Sequence, residues 1–285
     1  MLTIPLDRIQ AYRDRTFRLT AELRLQARDE AVQYVKERGF VYFWPISGIV
    51  FPSLWAAVAG DRPVADAHDD PGHVTWGWKD ALLGGSAWYY AKVLRKKATM
   101  ISFDLLPSFY ALSENYGAYE EDYLTLYEQG RLTSEAKVIY EALLDEGRLD
   151  TVELRRATRM SSPSSEGRFN RAMTDLQADF KILPVGVTQS GAWHYAFAYD
   201  IVARHYPKLS DQAHEIRESA ARQTLTDAYL RSLGAAQLRD VSKLFGWRLV
   251  DAERAVNTLA QTGWLLKGCQ VKGQPGEWLV LAELA

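Results

Sequence analysis

Two stretches in the C-terminal half share one order of parts: three amphipathic helices, then two strands joined by a turn that contains glycine. From Ser134 the segments are SEAKVIYEALLDEG, DTVELRRATRM and SEGRFNRAMTDLQADF, followed by KILPVGV, QSG and AWHYAFAY. From Ala220 onward they recur as ARQTLTDAYLRSLG, AAQLRDVSKLFG and RLVDAERAVNTLAQTG, then WLLKGCQV, KGQPG and EWLVLAEL. In the third helices Phe169, Met173, Leu176 and Phe180, and again Ala252, Val256, Leu259 and Ala260, fall at helical spacing. Gly147 and Gly234 stand where the first helices should stop. Three helices followed by a hairpin is the plan of a winged helix-turn-helix. The expected fold is therefore α+β, mainly α, built of tandem winged helix-turn-helix units. In such a unit the third helix projects and its first turns can enter a major groove, while the wing reaches backbone. The same fold also serves as a protein-packing module, so function has to be read from individual residues.

The 285 residues, 47% of them hydrophobic, suffice for a core in each of two or three units. The expected division is 1–130, a winged-helix-like region carrying an inserted aromatic and Asp-His segment, then winged helices at 131–210 and 211–285. With 34 basic and 36 acidic side chains the net charge is −2, so contact with nucleic acid has to come from a local patch. The lone Cys269 excludes an internal disulfide framework and a cysteine-based zinc cluster, and points to a reducing compartment. Charges recur every few residues in MLTIPLDRIQAYRDRTFRL, and no window nears the roughly 20 apolar residues of a membrane span. A cytoplasmic protein with no membrane partner is expected; the sequence leaves oligomeric state open.

The N-terminal third departs from the repeat. ARDEAVQYVKER reads as a helix, and behind it runs the uncharged stretch GFVYFWPISGIVFPSLW, Gly39 to Trp55. Read as a strand, it places Tyr42 and Trp44 on one face. Further on, KKATMISFDLLPSFYAL ends in a Leu-Pro helix break. The order of segments over most of the chain, together with these two stretches, resembles the bacterial winged-helix DNA glycosylases of the AlkZ and YcaQ type. The resemblance implies a DNA channel between winged helices. It also implies a strand of the form Gly-aromatic-Val followed by a catalytic Gln-x-Asp or Gln-x-Gln. Here Tyr42 and Trp44 occupy those positions. Base excision needs a polar group to place water and to stabilise positive charge on the sugar. An indole offers neither, and a phenol with a pKa near 10 is a poor base. The two rings can instead stack on a base, plug a channel or pack in a core.

Other constellations remain. In ADAHDDPGHVTWGWKD, His68, Asp69, Asp70 and His73 precede Trp76, Trp78, Lys79 and Asp80. These imidazoles and carboxylates can act as metal ligands, as general acid and base, or as a solvated turn that caps the next helix. Carboxylates beside tryptophan can be held at raised pKa by desolvation. In WYYAKVLRKKAT, Lys92, Arg95, Lys96 and Lys97 stand beside three rings, a mixture suited to a single strand or distorted duplex. In the first repeated unit Arg155, Arg156 and Arg159 lie on the second helix, and Arg168, Asn170 and Arg171 begin the third. That unit is expected to read DNA and the second to serve as scaffold.

The preferred expectation is a DNA-binding protein lacking the glycosylase dyad, engaging damaged or single-stranded DNA. Tyr42, Trp44, Trp76 and Trp78 are the stacking candidates, and Lys92, Arg95, Lys96, Lys97, Arg168 and Arg171 the contacts to phosphate or base. Two other readings stand beside it: an active glycosylase or hydrolase using His68, Asp69, Asp70 or His73, and a protein-binding scaffold. Neither a cofactor nor a metal is expected.

Overall fold

The computed structural model describes residues 2–285. The chain opens with β1 (Thr3–Ile4), α1 (Leu6–Thr16), α2 (Arg28–Arg38), β2 (Phe40–Tyr42), α3 (Leu54–Ala59) and α4 (Val74–Ala81). The hairpin β3 (Tyr89–Lys92) and β4 (Ala98–Ile101) follows, then α5 (Leu106–Tyr110) and α6 (Asp122–Glu128). The first repeated unit comprises α7 (Ser134–Glu146), β5 (Leu149–Asp150), α8 (Thr151–Ala157), α9 (Glu166–Ala178), β6 (Ile182–Thr188) and β7 (Ala196–Ile201). Two short helices, α10 (Val202–His205) and α11 (Leu209–His214), lead to the second. That unit comprises α12 (Glu218–Leu233), β8 (Ala235–Ala236), α13 (Leu238–Phe245), α14 (Leu249–Gln261), β9 (Leu265–Val271) and β10 (Trp278–Leu281). The fold is α+β and mainly α, as the repeat predicts.

Both repeated units run helix, strand, helix, helix, strand, strand. Their sheets have matching orders, β5-β7-β6 and β8-β10-β9, an arrangement compatible with the winged-helix plan. Local chemistry sets the element ends. Thr133 caps α7 by accepting the Ala136 N–H at 3.2 Å. Asp150 and Glu153 form a reciprocal capping box at α8. Gly234 closes α12 at φ 73°, where a Cβ would fall 2.7 Å from the Tyr12 and Leu284 side chains, so the site accepts only glycine.

Three apolar clusters hold the chain together. The first repeated unit has its own core around Ile139, Leu143, Phe169, Leu176 and Ile182. The second shares its core with the N-terminal sheet, where Phe40, Tyr42 and Phe51 meet Leu225, Tyr229 and Leu230. A third cluster gathers Tyr34, Val41, Phe43, Leu54 and Trp88. β2 is thus buried on both faces: Phe40 and Tyr42 point into one core, Val41 and Phe43 into another. Each large side chain sealed in this way stabilises the fold by roughly 1.5–3 kcal/mol. The first residues fold against the second repeated unit, with β1 parallel to β9 in register Thr3 to Gln270. From α1, Arg13 donates to the carbonyls of Leu233 at 3.0 Å and Ala235 at 2.8 Å.

Candidate nucleic-acid interface

β3 and β4 are joined by the tight turn Val93–Lys97. Its closure needs two consecutive residues in the left-handed region, Arg95 (φ 51°) and Lys96 (φ 58°), neither of them glycine. Such backbone costs about 1–2 kcal/mol per residue. It is held by the Thr99 hydroxyl, which accepts the Leu94 N–H at 3.2 Å, and by the Lys96 and Lys97 amides bonding back to Val93 and Leu94. The consequence is that Arg95, Lys96 and Lys97 stand exposed on a rigid tip.

Neighbouring helices grip that tip. The Lys92 amide donates to Gln177 at 3.2 Å, and Lys96 pairs with Asp175 at 2.5 Å, both partners belonging to α9. Facing the tip from the second repeated unit is α13, with Lys243. Two adjoining cavities, of about 400 and 620 Å³, both reach Arg95, Lys243 and Leu244. Arg13 lines the smaller; Lys96, Arg131 and Trp247 line the larger. Arg13, Arg95 and Lys243 form no ion pair among the described residues. A protein of net negative charge therefore gathers, in one concave place, three cations outside any ion pair, with Asp240 on the wall of the smaller cavity and Glu114 and Asp179 on that of the larger.

The expected site residues divide around this groove. Lys92, Arg95, Lys96 and Lys97 are all at the tip and exposed. Arg171 is exposed on α9 one turn before Asp175, on the face that meets the tip; Arg168 lies farther back and pairs with Glu135 at 3.1 Å. Arg155 donates to Asn170 at 3.0 Å, so that pair is satisfied internally. Trp88 and Tyr89 are buried, so rings and cations do not alternate along one open face. The reason is the pleat: β3 turns its rings into two cores while the turn carries the charges.

Tyr42 and Trp44 do not share a face, contrary to the strand reading. β2 ends at Tyr42, and Trp44 turns to pack on Phe43 at 5.3 Å and Trp76 at 5.5 Å. Tyr42 is 1% exposed beneath Phe51, and burial pushes its phenol up to about 12. Its hydroxyl has no hydrogen-bond partner. Trp44, Trp76 and Trp78 are half-buried around the third cluster.

The Asp-His loop lies apart from the groove, and none of its residues lines either cavity. Asp70 accepts from Arg62 at 2.6 Å and from the Gly72 N–H at 2.7 Å, capping the turn before α4. The Arg62 guanidinium holds the Asp70 carboxyl below its usual range, the reverse of the raised value expected beside tryptophan. The His73 imidazole bonds the Ala65 carbonyl at 2.9 Å and packs on Trp55. His68 and Asp69 are exposed. Among the described residues no three His, Cys, Asp or Glu side chains gather as a metal site would require.

Lys243, Arg13 and Tyr229 were not singled out in the sequence. Each sits at ordinary helical spacing, and only long-range packing brings them to Arg95. Lys79 was named only as a neighbour of the Asp-His loop, with no role of its own. It is buried in a box of rings that includes Trp76 at 4.4 Å and Phe197 at 4.5 Å.

A family model described as AlkZ related matches residues 25–246, more than three quarters of the chain and all of the groove except Arg13, Trp247 and Trp278. The chain belongs to the AlkZ-related family. No curated protein matched it. Among solved structures it is similar to the Streptomyces sahachiroi DNA glycosylase AlkZ, with a TM-score of 0.58 and 14% identity, over 99% of this chain and 71% of that one. At that identity the likeness concerns the fold. At 14% identity this AlkZ-related chain is a diverged relative, and its Tyr42 and Trp44 pack as rings in two different apolar clusters. No described helix is long and apolar enough to cross a membrane.

Proposed function

We propose that this AlkZ-related protein binds DNA through the groove between the Val93–Lys97 tip, α9 and α13, and that it does so without the Gln-x-Asp chemistry of its glycosylase relatives. One observation carries the reading: Arg95 and Lys243 line both of two adjoining cavities and Arg13 the smaller, and none of the three is held in an ion pair among the described residues, so cations outnumber the carboxylates there. An excess of positive charge in a concave site attracts a polyanion, and each phosphate it neutralises releases counterions. Trp247, lying 4.3 Å over Phe245 at the wall of the larger cavity, offers a ring against which an unpaired base can stack, which favours damaged or single-stranded DNA over intact duplex. In this reading each of the three expected regions contributes: 1–130 the tip, 131–210 the flank on α9, and 211–285 the facing helix.

The absence of a proton-transfer group at Tyr42 and Trp44 supports binding rather than base excision by the family's route. Fluorescence anisotropy with a labelled oligonucleotide tests the proposal. Binding should be clear at about 50 mM salt and fall by an order of magnitude or more toward about 200 mM. Absent or salt-independent binding overturns it.

A further inference from the structure

The smaller cavity has a wall that a groove for an internal backbone phosphate does not need. Tyr229 is only 4% exposed, stacked on Phe51 at 5.6 Å, yet it lines the cavity. Its hydroxyl has no hydrogen-bond partner and is not among the sealed polar atoms, so the open space it meets is the cavity itself. A phenol buried to the ring with its hydroxyl free is a donor waiting for an acceptor. Beside it, two carbonyls hold the Arg13 guanidinium by Nε and Nη2, and Nη1 bonds nothing among the described residues. Arg95 and Lys243 complete the ring of donors.

The charge balance narrows the ligand. Three cations, Arg13, Arg95 and Lys243, face one carboxylate, Asp240, which already accepts the Gln237 N–H at 3.1 Å. Three positive less one negative leaves two positive charges. An internal phosphodiester supplies one negative charge, whereas a phosphate monoester carries about −1.5 to −2 at pH 7 and three acceptor oxygens. A volume of about 400 Å³ suits a single nucleotide. We propose that this cavity is a subsite for a nucleotide bearing a terminal phosphate, with Tyr229, Arg13, Arg95 and Lys243 as its donors. The adjoining cavity then gives the rest of a strand its exit past Arg95. This rests on the DNA-binding reading only for that exit, because the subsite itself is argued from donors and charge.

The test compares one oligonucleotide in three forms, with a 5′-phosphate, with a 3′-phosphate and with hydroxyls at both ends, alongside free deoxynucleoside monophosphates and their nucleosides. A phosphate at one end is expected to tighten binding about tenfold over the hydroxyl form. Tyr229→Phe, which keeps the stacked ring, should reduce that preference about fivefold, and Lys243→Gln should abolish most of it. Preference for the phosphorylated strand identifies a DNA end as the source. Preference confined to free monophosphates over nucleosides upholds the subsite and assigns it a soluble nucleotide. Equal binding of phosphorylated and hydroxyl forms in both series overturns the inference, even where the oligonucleotides bind. Loss of all oligonucleotide binding with retained monophosphate preference overturns the DNA reading instead.

Discussion

The Lys79 ammonium lies 2.8 Å from the Asp80 carboxylate, and the Tyr195 hydroxyl, on the β6–β7 wing of the first repeated unit, donates to that carboxylate at 3.0 Å. Lys79 and Asp80 end α4, so this small network ties the inserted segment to the wing. Desolvation pulls the Lys79 pKa down while Asp80 opposes the shift. Removing the counter-charge should therefore hurt more than removing the cation. Asp80→Asn is expected to cost about 3 kcal/mol, and Lys79→Met, similar in volume and apolar, under about 1.5 kcal/mol. Denaturant midpoints of the two variants decide it, and a larger loss for Lys79→Met contradicts the account.

Lys181 is the second buried lysine, donating to the Glu114 carbonyl at 2.8 Å and to Asn115 at 2.7 Å. Burial lowers its pKa from 10.5 to about 8. Between those values the folded protein has released this proton and the unfolded chain still holds it. The group's contribution to stability therefore rises with pH across the window. Tyr140 and Tyr229, raised by burial, act in the opposite sense above pH 10. Lys181→Met should remove an upward trend in denaturation midpoint between about pH 8 and 10. An identical pH trend in both proteins counts against it.

Tyr42 tests whether ring packing or chemistry occupies the strand. Since its hydroxyl lacks a partner, Tyr42→Phe should alter stability by less than about 1 kcal/mol, with a gain more expected than a loss. Tyr42→Gln, which places an amide under Phe51, should cost about 3 kcal/mol. Calorimetry of both variants checks this, and a Gln variant as stable as the parent contradicts the packing described here.

The fold was legible because it rests on local signals repeated twice. Phe169, Met173 and Leu176 have helical spacing and are buried, and Gly147 and Gly234 end their helices at positive φ. The cations of the tip were legible too, as a run of charge beside strand-forming rings. What the sequence concealed was depth and partnership. Alternation placed Tyr42 with Trp44, but the strand stops after three residues and the chain bends, so periodicity had nothing left to act on. Asp70 beside a tryptophan promised a raised pKa, and only the folded loop brings Arg62 to it. Arg13 is remote in sequence from Tyr229 and Lys243 and meets them because α1 folds back on the second repeated unit.

The left-handed tip offers a separation of stability from binding. Arg95→Gly relieves about 1–2 kcal/mol of backbone strain, offset by the extra freedom of glycine in the unfolded chain, about 0.5–1 kcal/mol. The variant should be as stable as the parent or more stable by up to about 1.5 kcal/mol, and it should bind DNA more weakly. Thermal denaturation and anisotropy on one preparation read both, and a clear loss of stability contradicts the strain argument.

The salt dependence of DNA affinity, measured for the parent and for the Arg95→Gln, Lys243→Gln double variant, tests the groove most directly. If both cations meet phosphates, the plot of log affinity against log salt should become shallower by about two in the variant, with weaker binding at low salt. Parallel slopes for the two proteins would place the DNA elsewhere and contradict the groove as the interface.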